Sequence, residues 1–244
     1  MQGLSGSVDE GTIAAISRAS SRTPRRSVWV SIDEAIRTFA RGGMVVLVDD
    51  PDRENEGDVC IPAAAITAQH VNFLITHCRG LVCLAMAPAQ CDQLALPMMV
   101  EHPTEAYGTP FTVSIEAASG VTTGISAADR AHTIRVAADP LSVPTDLVQP
   151  GHIFPLRARP GGVLERNGHT EASVDLARLA GLAPSSVICE ILNEDGSMAR
   201  VPDLERFCRT HDLTMASIAD LVAWRARRAT AGWNASTTLG ARVV

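Results

Sequence analysis

The sequence lacks the features that would place it in several broad classes. No apolar stretch is long enough to span a bilayer, and the first residues, MQGLSGSVDEGTIAAIS, are too polar for the core of a secretion signal. No basic stripe is present, and a net charge of −6 argues against a nucleic-acid partner. The sequence therefore predicts a cytoplasmic protein that binds neither membrane nor nucleic acid.

Cysteine pairs with the spacing of a structural zinc site are also missing. None of the six cysteines forms a CxxC pair. Most of them lie in apolar runs such as 59–61 and 82–84, where cysteine behaves as a small buried hydrophobe. Without a secretion signal, we expect reduced thiols rather than a disulfide framework.

What is present fits one globular domain. The chain has 244 residues, of which 46% are hydrophobic, so a full core is available. We predict a flexible leader over residues 1–28, a single domain over 29–228 and a frayed tail over 229–244. Strands and helices alternate irregularly, which favours an α+β (mixed α/β) domain with a mixed β-sheet flanked by helices.

The local patterns predict individual elements of that domain. Ser31 and Glu34 resemble a capping box that begins the first helix. A turn is predicted at 149–152, ahead of an apolar segment. Predicted strands cover 44–48, 58–62, 81–86, 111–115 and 187–192, and predicted helices cover 31–41, 67–78, 126–139, 202–211 and 217–228, with a further helix opening after Gly168.

The stretch between the first two strands is dense with carboxylates. Six acids and one base, Arg53, lie within residues 49–58. Such a loop repels itself at neutral pH, so a divalent cation, a basic partner or a bound ligand would stabilise it. A solvated acidic hairpin loop is the alternative. We expect a lid that is disordered when empty and ordered on binding.

Two loop-to-helix junctions offer sites for anions. Residues 120–130 are rich in Gly and Thr, although Thr and Gly before a helix are more often only loop and cap. Residues 166–171 combine a cation, a glycine, an imidazole, a hydroxyl and a carboxylate. His152 and His169 follow glycines in predicted turns and rank first among seven histidines. Glu190 interrupts the apolar string VICEIL, where an unpaired charge would be costly.

Carboxylate and imidazole groups together suit Mg²⁺, Mn²⁺ or Zn²⁺. Oxygen-rich loops beside helix N-termini that can bind phosphate suit Mg²⁺ with a phosphorylated substrate.

The motifs also resemble a known family. The segments DDPDRENEGD, GVTTGISAADRA, PGHIFPLRAR, GGVLERNGHTEASVDLARLAGL and VICEILNEDGSMAR are similar to those of 3,4-dihydroxy-2-butanone 4-phosphate synthases of riboflavin biosynthesis. The resemblance covers roughly residues 30 to 226. It implies a lyase that converts D-ribulose 5-phosphate to L-3,4-dihydroxy-2-butanone 4-phosphate and formate. It further implies Mg²⁺ or Mn²⁺, two ions per active site, no organic cofactor, and a homodimer with active sites near the subunit interface.

The resemblance assigns roles to single residues. The metal ligands would be Glu54 and His169, and the catalytic residues His152 and Glu190. The substrate-binding positions would be Arg53, Glu54, Asp58, Arg166, Asn167, Gly168, His169, Thr170 and Glu190. Arg166 and Thr170 would contact the phosphate. Lesser candidates, for which a structural or capping role is at least as good, are Glu56, Thr123, Ser126 and Asp129.

Two other function classes stay open at this point. One is a phosphate- or RNA-binding module on a related α/β fold, with the acidic loop as plain surface. The other is a different metal-dependent phosphosugar isomerase or aldolase, which shares most of the chemistry but not the motif set.

Overall fold

A computed structural model of the chain describes residues 27–104 and 106–230. Seven strands within these two ranges form one sheet in the order β4-β5-β3-β6-β2-β1-β7. The strands are β1 (Val45–Val48), β2 (Gly57–Pro62), β3 (Cys83–Met86), β4 (Ile115–Ala117), β5 (Leu147–Arg157), β6 (Ser185–Glu190) and β7 (Thr214–Ser217).

Seven α-helices cover the sheet, and none in the described part of the chain is long and apolar enough to cross a bilayer. They are α1 (Ile32–Ala40), α2 (Ala68–Phe73), α3 (Pro88–Gln93), α4 (Ala127–Ala138), α5 (His169–Leu179), α6 (Val201–His211) and α7 (Ile218–Thr230). Short 3₁₀ turns lie at Ala63–Ala65, Pro144–Asp146 and Gly162–Leu164, and a π-helical turn, Leu74–Cys78, extends α2.

The sheet is mixed, as the sequence predicts. β1 and β2 form an antiparallel hairpin around the acidic loop, with Val46 opposite Val59. β2 also pairs antiparallel with β6, and β6 pairs antiparallel with β3. β3 and β5 are parallel, as are β1 and β7. The mixed α/β class is therefore confirmed.

Both faces of the inner strands β1, β2, β3 and β6 are buried, which explains their uninterrupted apolar runs. Val46 and Val48 belong to a core that includes residues of α2, α4 and α6. Val45 and Leu47 point the other way, into a core with α1, α5 and α7. Period-two alternation in β1 therefore sends apolar side chains to two separate helical layers.

The helix starts follow their predicted caps. Ser31 accepts a hydrogen bond from the backbone N–H of Glu34, and Ser126 accepts one from Asp129. The predicted helix over 67–78 keeps its Thr67 cap but changes to a π-helical turn at Leu74.

Two local predictions are wrong. The strand predicted at 111–115 is instead β4, Ile115–Ala117, and Phe111 and Thr112 make only isolated bridges. Thr112 is fully buried although the alternation placed it on the polar side, because its hydroxyl donates to the Pro155 carbonyl. The turn predicted at 149–152 lies inside β5, which continues through a cis Gln149–Pro150 peptide.

The predicted leader and tail lie mostly outside the described residues. At the start of the described chain, Val28 is buried in the core, and its carbonyl accepts a hydrogen bond from Met215 of β7. The limits 1–28 and 229–244 stay predictions.

Candidate active site

The acidic loop folds around the carboxylate of Asp49, whose side chain is fully buried. This carboxylate accepts hydrogen bonds from the backbone N–H of Glu54, at 3.1 Å, and of Glu56, at 2.8 Å. It also accepts a bond from Arg53 Nη1 at 2.7 Å. The loop therefore contains part of its own counter-charge, because one acid has turned inward towards backbone donors and the only base.

Replacing Asp49 with asparagine should loosen this loop. The amide keeps the size of the side chain but loses the charge that holds Arg53 and offers only one acceptor oxygen to the backbone donors. We expect trypsin to cut after Arg53 several-fold faster in Asp49→Asn than in the parent protein, measured as the rate of fragment appearance. Asp52→Asn, a matched change on an exposed acid of the same loop, serves as the control, and equal cleavage rates in both variants would contradict this role of Asp49.

Two residues from distant parts of the chain brace the loop from outside. Arg200, at the start of α6, donates through Nη1 to the carbonyl oxygen of Glu54 at 2.8 Å and also to that of Asn55. The Tyr107 hydroxyl donates to the carbonyl of Arg53 at 3.2 Å. The loop therefore presents the Glu54 side chain from a backbone held on both sides.

That side chain meets the N-terminus of α5. His169, the first residue of the helix, places Nδ1 3.5 Å from Glu54 Oε2 and Nε2 3.9 Å from Asp58 Oδ1. Arg53 Nη1 donates to Glu54 at 2.6 Å. The acidic loop and the 166–171 junction, about 110 residues apart in sequence, therefore form one charged centre.

The protonation of these groups reflects their mutual contact. Burial raises the pKa of the Glu54 carboxyl, but the contact with His169 and the charge of Arg53 outweigh it and lower the pKa to about 2. Burial lowers the pKa of His169, yet the Asp58 carboxylate and the Glu54 contact raise it to about 9. Burial raises the pKa of Asp58.

Some ligand atoms at this centre are not used by the protein. Asp58 Oδ1 and His169 Nε2 are buried and have no hydrogen-bond partner among the described residues. One ligand atom each of Asp49, Glu54 and His169 lies within 4.8 Å of the other two. The Asp49 oxygens already bind the loop, so Glu54 and His169 have the greater capacity to hold a cation.

A second cation, Arg166, lies beside this centre. Its Nη1 donates to Oε2 of the fully buried Glu171 at 2.7 Å, and its Nη2 donates to the Tyr107 carbonyl at 3.2 Å. A Cβ on Gly168 would come within 2.4 Å of Arg166 and 3.0 Å of Arg53. The lack of a side chain at Gly168 therefore lets both guanidinium groups lie against the N-terminus of α5 in this arrangement.

These groups surround one cavity of about 100 Å³. Asp58 and Glu190 lie opposite each other on β2 and β6. Glu190 is the last residue of its strand, and its Oε2 accepts a hydrogen bond from the Leu81 N–H at 2.8 Å. The residues that line the cavity are Arg53, Glu54, Glu56, Asp58, Cys83, Thr109, Phe111, Leu156, Arg166, His169, Thr170, Ile188 and Glu190.

His152 does not line this cavity. It lies within β5, and its Nδ1 is 2.5 Å from Glu116 Oε2.

Asp129, one of the lesser candidates, accepts hydrogen bonds from the Thr122 hydroxyl at 2.7 Å and from the Gly124 N–H at 3.1 Å, which lowers the pKa of its carboxyl. Among the lesser candidates, Ser126 and Asp129 thus cap α4 and fix the preceding loop, Thr123 is exposed in that loop, and Glu56 reaches the cavity.

Comparison with known proteins decides the family. The family model for 3,4-dihydroxy-2-butanone 4-phosphate synthase matches residues 33–224. The chain belongs to this synthase family. The match includes the acidic loop, the junction before α5 and the strand that ends at Glu190, and so every residue that lines the cavity.

Relatives of the synthase family are similar in sequence and in fold. A 3,4-dihydroxy-2-butanone 4-phosphate synthase of Pseudomonas aeruginosa is 55% identical over 195 residues, covering 80% of this chain and 53% of that protein. The riboflavin biosynthesis protein RibBA of Aquifex aeolicus is 56% identical over 202 residues, 82% of this chain and 50% of that protein. The chain thus spans about half the length of these curated relatives.

Solved synthase structures agree with the fold. One synthase in complex with two magnesium ions has a TM-score of 0.79 and 40% identity, covering 82% of this chain and 98% of that one. The two-domain synthase RibBX of A. baumannii has a TM-score of 0.78 and 54% identity, covering 80% of this chain and 58% of that one.

The structure brings together most of the synthase residues that the sequence selects. Arg53, Glu54, Asp58, Arg166, His169, Thr170 and Glu190 line the cavity. Gly168 adjoins it, whereas Asn167 is exposed and His152 lies apart. Sequence reasoning missed the inward Asp49, the brace from Arg200 and the partner Glu116 of His152. Glu116 carried a usable signal, since it is a carboxylate in a strand-like string just as Glu190 is.

Proposed function

We propose that this chain catalyses the conversion of D-ribulose 5-phosphate to L-3,4-dihydroxy-2-butanone 4-phosphate and formate, which supplies the four-carbon unit for riboflavin biosynthesis. One observation carries the proposal. Two carboxylates, an imidazole and two guanidinium groups line a single cavity in a chain of the synthase family, namely those of Glu54, Asp58, His169, Arg53 and Arg166. The catalytic unit is the single domain over residues 29–228.

The phosphate of the substrate binds at the N-terminus of α5. Arg166 supplies a fixed guanidinium, and the buried Thr170 contributes a hydroxyl on the first turn of the helix. The absence of a side chain at Gly168 lets Arg166 and Arg53 both approach this helix end, where they attract an anion, and Asn167 is exposed next to Gly168. Binding energy at this remote group holds the sugar in register with the acids.

Glu54 and His169 would hold the divalent cation, and the unused oxygen of Asp58 lies beside them. One carboxylate that stays ionised, one imidazole and oxygens from the sugar suit Mg²⁺, or Mn²⁺ in its place. By similarity to the synthase solved with two magnesium ions, two ions serve each site. Bound metal would polarise the carbonyl and diol oxygens of the substrate as a Lewis acid.

The acids and bases around the sugar move its protons. Asp58 lines the cavity and its Oδ1 has no hydrogen-bond partner among the described residues, so this oxygen can exchange a proton with the substrate. Glu190, across the strand pair, is fixed through Oε2 by the Leu81 N–H and keeps its other oxygen for proton transfer. His152 is the third group, and it acts from a different subunit.

We place His152 in the site of a second copy of the chain, in a homodimer. Its imidazole is 43% exposed and absent from the cavity of its own chain. Large apolar side chains are exposed on the segments around the Glu116–His152 pair, among them Ile125 at 54% and Val148 at 48%. A second copy covering this surface would bury them and carry the imidazole to the partner's cavity.

Subunit exchange tests this arrangement. Glu54→Ala and His152→Ala should each be inactive alone, but a mixed dimer should contain one complete site. We expect co-expression in equal amounts to restore about a quarter of parent activity, since half of the dimers are mixed and each has one working site of two. Mixing Glu54→Ala with His169→Ala is the control, because these two residues share one chain's cavity and no complete site can form. No recovery in the test pair, which is the result expected if each site is built from one chain, would refute the shared site.

Formate release tests the reaction itself. The protein should release formate from ribulose 5-phosphate when Mg²⁺ is present, and a chelator should stop the release until Mg²⁺ is restored. Absence of formate with saturating Mg²⁺ would overturn the synthase assignment.

A further inference from the structure

Two side chains and one backbone N–H form a hydrogen-bonded chain behind the imidazole of His152. Glu116, on β4, is buried, and its Oε2 is 2.5 Å from His152 Nδ1. Its other oxygen, Oε1, accepts a hydrogen bond from the Thr133 hydroxyl at 2.8 Å. The Thr133 oxygen in turn accepts from the Ala117 backbone N–H at 3.1 Å. Each oxygen of the Glu116 carboxylate therefore has a fixed partner from a different element.

The direction of these bonds is determined by the backbone. The Ala117 N–H can only donate, so the Thr133 oxygen accepts there and its own proton is directed at Glu116 Oε1. Thr133 is fully buried on α4, which leaves its hydroxyl no exchange with solvent. The carboxylate is thus held as an acceptor on both oxygens.

The glycine-rich loop covers the contact between Glu116 and His152. A Cβ on Gly124 would come within 1.8 Å of Glu116 Oε2 and 2.6 Å of His152 Nδ1. Gly124 has φ +84°, and its N–H is bound to Asp129. The loop backbone therefore closes over the carboxylate–imidazole pair on this side, while the imidazole remains 43% exposed elsewhere.

We propose that Glu116, held by Thr133, is a positioning residue that fixes His152 in the tautomer with its proton on Nδ1 and leaves Nε2 as the free acceptor. A carboxylate with no proton of its own can only accept from the ring, so the Nδ1–H form is selected. The tautomer of His152 does not depend on the proposed function. Only the use of the ring for proton transfer to and from the sugar rests on that function.

Glu116→Gln inverts this bond without changing the size of the side chain. Because the Thr133 hydroxyl donates to it, the glutamine oxygen faces Thr133 and its NH₂ group faces His152. The ring must then accept at Nδ1 and carry its proton on Nε2. We expect kcat for formate release to fall by about 100-fold or more with KM for ribulose 5-phosphate little changed, since proton transfer and not substrate binding is impaired.

The ring itself provides the direct readout. Long-range ¹H–¹⁵N correlation spectra of the dimer, with the His152 signals assigned by their loss in His152→Gln, report which ring nitrogen carries the proton. We expect the Nδ1–H form in the parent protein and the Nε2–H form in Glu116→Gln. An Nε2–H form in the parent protein overturns the inference even if the variant fails to fold.

The remaining outcomes separate this inference from the proposed function. A parent protein that releases no formate overturns the proposed function, whereas the two spectra still decide whether Glu116 fixes the tautomer. If Glu116→Gln keeps a kcat close to that of the parent protein, the positioning role alone is overturned, whether the His152 tautomer is unchanged or has changed to Nε2–H. Glu205→Gln, the same chemical change at a residue of α6 that does not line the cavity, is the control and should alter neither the spectrum nor kcat.

Discussion

Formate release from ribulose 5-phosphate should fall by on the order of 10³-fold or more when Glu54 is replaced with alanine, while the fold remains intact. Glu54 is the residue through which the acidic loop reaches His169, and it combines a low pKa with a position at the cavity. The loop scaffold does not depend on its side chain, because Asp49 binds Arg53 and the backbone directly. The loss should therefore be in metal binding and turnover, with thermal unfolding changed little.

His169→Ala should have the same result from the other side of the site. It removes the second proposed ligand, and it also leaves Glu54 and Asp58 without the imidazole that lies between them. Titration calorimetry with Mg²⁺ and formate release should both show the loss. Glu194→Ala, an exposed acid outside the cavity, should retain full activity. Substantial turnover in either cavity variant would refute the assignment of the metal to Glu54 and His169.

The second large effect is expected at Arg166. Lysine keeps the charge but has no planar fork, so it cannot bind Glu171 and aim further N–H groups at a phosphate in the same geometry. A charge-assisted contact of this kind contributes about 3 kcal/mol, so kcat/KM for Arg166→Lys should fall roughly 100-fold. We expect the loss mainly in KM, because phosphate binding is the same in the ground state and the transition state.

Arg166→Met tests a different consequence of the same pair. It leaves the fully buried Glu171 without its cation, and breaking a buried pair costs about 3–5 kcal/mol of folding free energy. Urea unfolding should therefore show a destabilisation in Arg166→Met that is much smaller in Arg166→Lys. Equal KM values for the parent protein and Arg166→Lys would contradict the phosphate role, whatever the stability.

The course of the chain around the acidic loop could be predicted from local pattern. Two apolar runs with a loop between them indicate a hairpin, and β1 and β2 form one. The conformation of the loop could not be predicted, because six acids in one segment give no sign of which one turns inward. That depends on the backbone N–H groups of Glu54 and Glu56, whose directions are set only when the loop has closed on Asp49.

The position of His152 shows a different limit. Its motif identified the residue, but a Pro-Gly sequence reads as a turn, and the segment is in fact the interior of the long strand β5. Whether His152 lies near Glu54 depends on the strand order β5-β3-β6-β2, which is set by long-range pairing. Local periodicity carries no information on that order.

Glu116 and Glu190 show how one rule applies to two residues. Both are carboxylates within apolar or alternating strings, and a charge in such a string requires a partner or a function. Glu190 was selected through the family motif. Glu116 was not, since its partners Thr133 and His152 are 17 and 36 residues away and meet it only in the folded sheet.

Carbon accounting of the products tests the central claim most directly. Uniformly ¹³C-labelled ribulose 5-phosphate is incubated with the parent protein and Mg²⁺, and the products are followed by ¹³C NMR. The proposed reaction requires formate and a four-carbon phosphate in equal amounts, and neither with Glu54→Ala. A five-carbon product would indicate an isomerase and two- and three-carbon fragments an aldolase. Either result, or unchanged substrate, would contradict the synthase function.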